Sequence, residues 1–297
     1  MDISRAGELA AMVTAVSWTI SATLFDQVSK KAGTFAVNFI KVFFALILIS
    51  TFLFFRGDGA IPSNITIDGW MWLSLSGITG FIIGDLFLFQ AFIMIGARVS
   101  MVIFALAPSL TAAAGFLIFN EKLPPLAITG MAVTLSGIIL VVISRPSNNG
   151  YSIKAKPAGI FYAFLATICQ ASGYLLSKQG MLFTDPVRAT QIRLLASFIG
   201  FTILMLILRK SKLILSALKD RYVLTRLTSA SFFGPFFGVS LSMYAIHNAS
   251  AGIVSTIMSI TPVLLIVPAV IILKERITTL EIAGAVLAVT GSALFFL

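Results

Sequence analysis

Ten apolar stretches, separated mostly by short polar turns, make up nearly all of this chain. They run over about 7–28, 34–55, 69–94, 97–119, 124–144, 157–178, 187–209, 222–246, 250–273 and 278–297, each near the roughly 20 residues that an α-helix needs to cross hydrocarbon. Connections such as "NEKLPP" at 120–125 and "KERIT" at 274–278 are so brief that the helices they join must lie antiparallel and adjacent. Pro124 and Pro125 suit a helix start, where the missing amide hydrogen is not needed. The first stretch lacks a basic leader and a small-residue cleavage site, so it reads as the first span. One connector, "SRPSNNGYSIKAKP" at 144–157, is polar and rich in Gly, Pro and Asn. It falls at the midpoint and divides the chain into 1–149 and 150–297. The fold class this pattern predicts is an all-α integral membrane protein of ten transmembrane helices.

The two halves repeat each other. Pro108 and Pro262, Glu121 and Glu275, Gly130 and Gly284, and Gly137 and Gly291 are each 154 apart, as are Gly80 and Gly234, Gly84 and Gly238, Ala91 and Ala245, and Ala97 and Ala251. The first two helices of each half align at 152 instead, pairing Trp18 with Gln170, Gln27 with Gln179 and Lys41 with Arg193, so a two-residue insertion lies after the second helix. Five spans is an odd number. The second half therefore enters the membrane from the opposite side, which makes the halves an inverted-topology repeat about a pseudo-two-fold axis in the membrane plane.

Composition agrees: 58% of the 297 residues are hydrophobic and 11% charged, and the mean hydropathy is +1.03, values that no water-soluble globule could bury. A formal net charge of +10 would suggest nucleic acid in a soluble protein. Here the basic residues sit in loops, where they signal topology rather than a nucleic-acid partner. With the N-terminus cytoplasmic, the inside loops would hold five of them (Arg5, Arg56, Lys122, Lys178, Arg188) and the outside loops fourteen. That imbalance favours both termini outside. The single cysteine, Cys169, rules out an intramolecular disulfide and a cysteine-based metal cluster.

Charges within hydrocarbon need a reason, because each is expensive unless it pairs, snorkels or meets water. Lys41 lies about seven residues into the second helix, roughly 10 Å from its end, and Arg193 is its repeat mate. Facing a central cavity they would capture a carboxylate or phosphate, Arg193 as a bidentate fork and Lys41 as a point charge; otherwise they snorkel or pair structurally. Asp85, in "FIIGDLFLFQAF", stands among Phe and Leu. It either pairs with Lys41 or relays a proton, and Val239 occupies the matching place in the second half. Asp26 and Lys178 match near the ends of the first and sixth helices and read as interfacial. Gln90, Gln170, Tyr174 and Tyr244 are candidates for hydrogen-bonding a substrate or another helix, and Trp18 for stacking on one. Pro108, Pro262 and Pro268 interrupt the fourth helix of each half, and the glycine pairs Gly80/Gly84 and Gly234/Gly238 form small-xxx-small faces. No glycine loop for ATP, no nucleophile with a base and no partners for a metal beside the lone His247 are present in the sequence, so no cofactor, metal or catalytic residue is expected.

A glycine-rich third helix, a proline-containing fourth, an acid in the following turn (Glu121, Glu275) and a paired-glycine fifth, all occurring twice, resemble the EamA-type branch of the drug/metabolite transporter superfamily. Trp18, Lys41 and Arg193 are similar to that family as well. The resemblance covers the whole chain. It implies a secondary transporter of the cytoplasmic membrane that moves small organic solutes by alternating access through a central cavity, and both termini cytoplasmic, against the loop charges. The expected substrate is an amino acid or related anionic or zwitterionic metabolite, with protons as the candidate coupling ion and lipids as surroundings. A multidrug exporter is the alternative. An enzyme acting on lipid-linked substrates is a third reading, resting on the basic stretch 209–226, which an amphipathic helix facing anionic lipid explains more simply.

Overall fold

The computed structural model describes residues 3–63, 65–107, 109–110, 113–114, 125–144, 157–248, 257–258, 260–272, 274 and 277–294, and among these there is helix and no strand. The elements are α1 (Ile3–Ala32), α2 (Thr34–Arg56), α3 (Ile67–Gly77), the π-helix π1 (Ile78–Gly84), α4 (Asp85–Phe104), α5 (Pro125–Ile143), α6 (Pro157–Gly180), α7 (Pro186–Ile207), α8 (Ser211–Lys219), α9 (Arg221–Ser231), π2 (Phe232–Gly238), α10 (Val239–Asn248), the short α11 (Thr261–Leu264) and α12 (Ile266–Ile271), and α13 (Thr279–Leu294). Each of the ten expected segments contributes at least one of them. Stretches long and apolar enough to cross a membrane run over Ala6–Ala32, Thr34–Arg56, Ile67–Phe104, Pro157–Gly180 and Pro186–Ile207, with shorter apolar helices after Ile128, Thr261 and Thr279. Pro108, Glu121 and Glu275 lie outside the described residues.

Local chemistry sets the helix ends. Asp185 accepts from the amides of Val187 and Arg188 ahead of Pro186 at the start of α7, and Asp220 accepts from those of Tyr222 and Val223 to start α9, each satisfying N–H groups that have no partner within the helix. The ammonium of Lys31, then the amide of Val223, hold the Asp220 carboxyl below the usual carboxylate range. Gly33 and Gly96 take nearly the same conformation, φ 78 and 79 with ψ 158, a positive φ that glycine alone adopts without strain. Gly33 turns α1 into α2 in one residue. Gly96 ends the third span and starts the fourth, within a single continuous run.

The halves repeat in three dimensions at the offset seen in the sequence. α3, π1 and α4 begin at 67, 78 and 85, and α9, π2 and α10 begin at 221, 232 and 239. Each first helix packs on the third span of the other half, α1 on α9, π2 and α10, and α6 on α3, π1 and α4. The close approaches are reciprocal. Gly80 meets Gly173 and Gly84 meets Cys169, while Gly234 meets Ser21 and Gly238 meets Trp18. Ser76 donates to the Gly173 carbonyl at 2.7 Å, and Ser21 donates to that of Ala230 at 3.0 Å.

The fifth helices form the clearest two-fold contact. A Cβ on Gly137 would stand 2.4 Å from the Ala288 amide nitrogen, and one on Gly291 would stand 2.3 Å from that of Thr134. Gly284 faces the Gly137 carbonyl and Gly291 that of Gly130. Because the partner numbers fall as the helix numbers rise, α5 and α13 run antiparallel, as inverted repeats require.

Candidate functional site

The π-helices aim the central residues. In each, the amide after the last glycine reaches back five residues, Asp85 to the Gly80 carbonyl and Val239 to that of Gly234. Such single turns of wider helix recur at functional sites, because the extra residue turns the following side chains to a new direction. At the end of π1 this presents Asp85 to α2, where its carboxylate forms an ion pair with the Lys41 ammonium. Lys41 is 3% exposed and Asp85 17%. Three rings surround the ammonium: Phe89 at 4.8 Å and Phe25 and Phe81 at 5.8 Å each.

Arg193, on α7, shares Phe81, with its guanidinium carbon 4.6 Å from the ring centre. It is 4% exposed, and its Nε has no hydrogen-bond partner. Among the described residues it makes no ion pair. It bonds to neither the Asp85 carboxylate nor the Tyr174 phenol, although both lie within its electrostatic reach, and Gln170 stands one turn before Tyr174 on α6. Lys41 and Arg193 thus share the Phe81 ring, with Asp85 bonded to Lys41 and Tyr174 within electrostatic reach of Arg193. Two cations and one carboxylate leave one positive charge in the centre of the molecule. The second half offers neither an acid nor a ring in the matching places, since Val239 stands for Asp85 and Pro235 for Phe81.

The other expected positions are distributed differently. Trp18, the repeat mate of Gln170, lies half-buried against Gly238 of π2. Gln90 is half-buried on α4. Tyr244 is 51% exposed on α10. No three His, Cys, Asp or Glu side chains among the described residues come together as metal ligands.

Two corrections concern charges read as loop or interfacial residues. Asp26 is fully buried: one oxygen accepts from the Ala97 amide at 2.9 Å, capping the helix that restarts after Gly96, and the other binds Lys30 at 2.5 Å. Arg98 is not a loop charge; its Nη1 lies 3.0 Å from Oε1 of Glu281 on α13, with both side chains buried. Glu281 also forms a capping box with Thr278, which ties α13 to its own start. Pro262 lies in the first turn of α11.

Comparison with known proteins gives consistent results. The EamA-like transporter family matches residues 5–143 and again 157–297. A WAT1-related chloroplastic protein of Arabidopsis thaliana is 21% identical over 281 residues, 94% of this chain and 66% of its own length. An uncharacterized inner membrane transporter of Escherichia coli, YhbE, is 24% identical over 139 residues, 46% of this chain and 42% of its own. A solved crystal structure superposes with a TM-score of 0.66 at 15% identity, covering 98% of this chain and 96% of that one, a likeness of fold alone.

Proposed function

Since the chain belongs to the EamA-like transporter family and is therefore a multi-pass membrane transporter rather than an enzyme, we propose that it carries a small anionic or zwitterionic metabolite, an amino acid or a related acid, by alternating access. The observation that supports this reading is Arg193: buried, over the Phe81 ring, and unpaired among the described residues. An arginine in that state is a preformed receptor for a carboxylate or phosphate, which its guanidinium meets as a fork. Lys41, already neutralised by Asp85, holds its counterion in reserve. Tyr174 and Gln170 supply hydrogen bonds beside the anion. The two five-helix halves, 1–149 and 150–297, would rock about the α5–α13 contact.

Asp85 gives the site its proposed coupling. Protonation of its carboxyl would release Lys41 as a second cation for the substrate, and loss of the proton would restore the pair and weaken anion binding. A multidrug exporter for cations is disfavoured by the positive balance of the site. The test is counterflow in proteoliposomes across a panel of small carboxylates, phosphate esters and organic cations. Arg193→Gln should weaken the apparent affinity for the anions by about 10- to 100-fold, the size of one charged hydrogen-bonded contact, with Arg193→Lys in between. Wild-type behaviour of Arg193→Gln towards every anion transported would remove the anion site.

A further inference from the structure

A groove of about 530 Å³ runs along the outside of α1, between it and the broken ninth span α11–α12. Its walls are apolar, among them Val16, Ile20, Leu264, Val267 and Ile271. Three of these, Val16, Val267 and Ile271, are at least half exposed, so the slot faces outward to lipid. α1 keeps it apart from the central cluster, since Phe25 of the same helix points inward to Lys41. Pro268 lines the slot and cannot donate to the carbonyl one turn back.

One end of this apolar slot is polar and fixed. Arg226 and Gln27 line it, with Arg226 Nε donating to Gln27 Oε1 at 2.8 Å. The guanidinium carbon lies 3.6 Å from the centre of the Tyr222 ring. Bond and ring together lock the plane of the guanidinium while its two terminal nitrogens stay without a partner among the described residues. Lys31, paired with Asp220 at 2.5 Å, leans on the same ring at 4.8 Å, and Arg221 follows the cap of the same helix.

We propose that this groove is a binding site for an anionic phospholipid, with one acyl chain in the slot and the phosphate on the free edge of Arg226. An apolar channel ending in an oriented guanidinium on a basic rim has the charge pattern of such a lipid. A zwitterionic lipid brings the same chains but no net charge for the rim.

The experiment uses the purified full chain in nanodiscs of dioleoyl phosphatidylcholine with and without dioleoyl phosphatidylglycerol, and reads the shift in thermal midpoint that the anionic lipid causes within each variant. Wild type should gain from phosphatidylglycerol. Arg226→Gln should lose that gain through the rim, and Val267→Trp should lose it by filling the slot. Arg221→Gln, a cation of the same face outside the groove, should keep it. Because each variant is its own reference, lowered basal stability does not confuse the reading. An equal response of wild type to both lipids, a gain that survives Arg226→Gln or Val267→Trp, or its loss in Arg221→Gln would each overturn the site in favour of unspecific lipid contact.

Discussion

At the scale of single residues, the informative difference is between a paired and an unpaired cation at equivalent depth. Among the described residues, Lys41 has its acid and Arg193 has none. Removing one partner of a buried pair strands the other, which costs about 3–5 kcal/mol, whereas replacing both by apolar groups of similar volume is close to neutral. Asp85→Asn should therefore lower the thermal midpoint of the purified protein clearly, and the double variant Lys41→Met/Asp85→Leu should recover most of the loss. In vesicles the same Asp85→Asn should flatten the dependence of transport on pH. An unchanged pH profile would remove the proton from the mechanism while leaving the anion site standing. The pairing of Lys41 with Asp85 was one of two readings open from the sequence, because both were intramembrane charges on successive helices. The burial of Asp26 and Arg98 was not legible. Charges at the ends of apolar runs look alike in one dimension, whether they meet headgroups or, like Asp26, cap an amide that a distant glycine has freed.

At the scale of elements, the constant offset of 154 revealed more than a count of spans. It anticipated that any irregularity in one half would recur in the other, and the π-helices do, starting at 78 and 232. Their nature could not be read from spacing. A π turn adds one residue, about 100° of rotation, to everything beyond it, so a face counted at the ordinary helical period from Gly234 points elsewhere after Gly238. Tyr244 lies beyond that turn and is largely exposed. The fifth helices make the opposite case, because their glycines stand out in the sequence as repeated positions and in the structure meet backbone to backbone. Gly137→Val would push a side chain into the Ala288 amide, where there is no side chain to move aside. We expect a loss of about 1–3 kcal/mol or more from such overpacking, measured by thermal unfolding in detergent. The neighbouring outward-facing Ser136→Val should be nearly neutral.

At the scale of the whole molecule, side-chain bonds sort the turns onto two faces. On one, Arg56 reaches Asp185 and Arg188 reaches the carbonyls of Asp58 and Gly59. On the other, Lys31 meets Asp220, Asp26 meets Ala97, Arg98 meets Glu281, and Thr278 meets the Ser144 carbonyl. The second face also carries the amphipathic α8 with Lys212 and Lys219. With Arg98 internal, thirteen of the fourteen residues of the more basic set remain to orient the chain. The positive-inside rule puts that face in the cytoplasm. A phosphatase fused after Leu297 should accordingly be active outside the cell, and a fluorescent protein fused there should stay dark in a bacterial host; the reverse pair would show that the loop charges do not set this topology. The glycine contact between α5 and α13 has a historical consequence. Each half presents the same surface to the other from the opposite direction, so a lone five-helix ancestor could have made this contact only by meeting a copy of itself inserted upside down. Such a chain had to enter the membrane both ways, with no strong bias in its loops. The lopsided charges of the present chain, and with them a single fixed orientation, became possible only once fusion allowed each half to acquire its own.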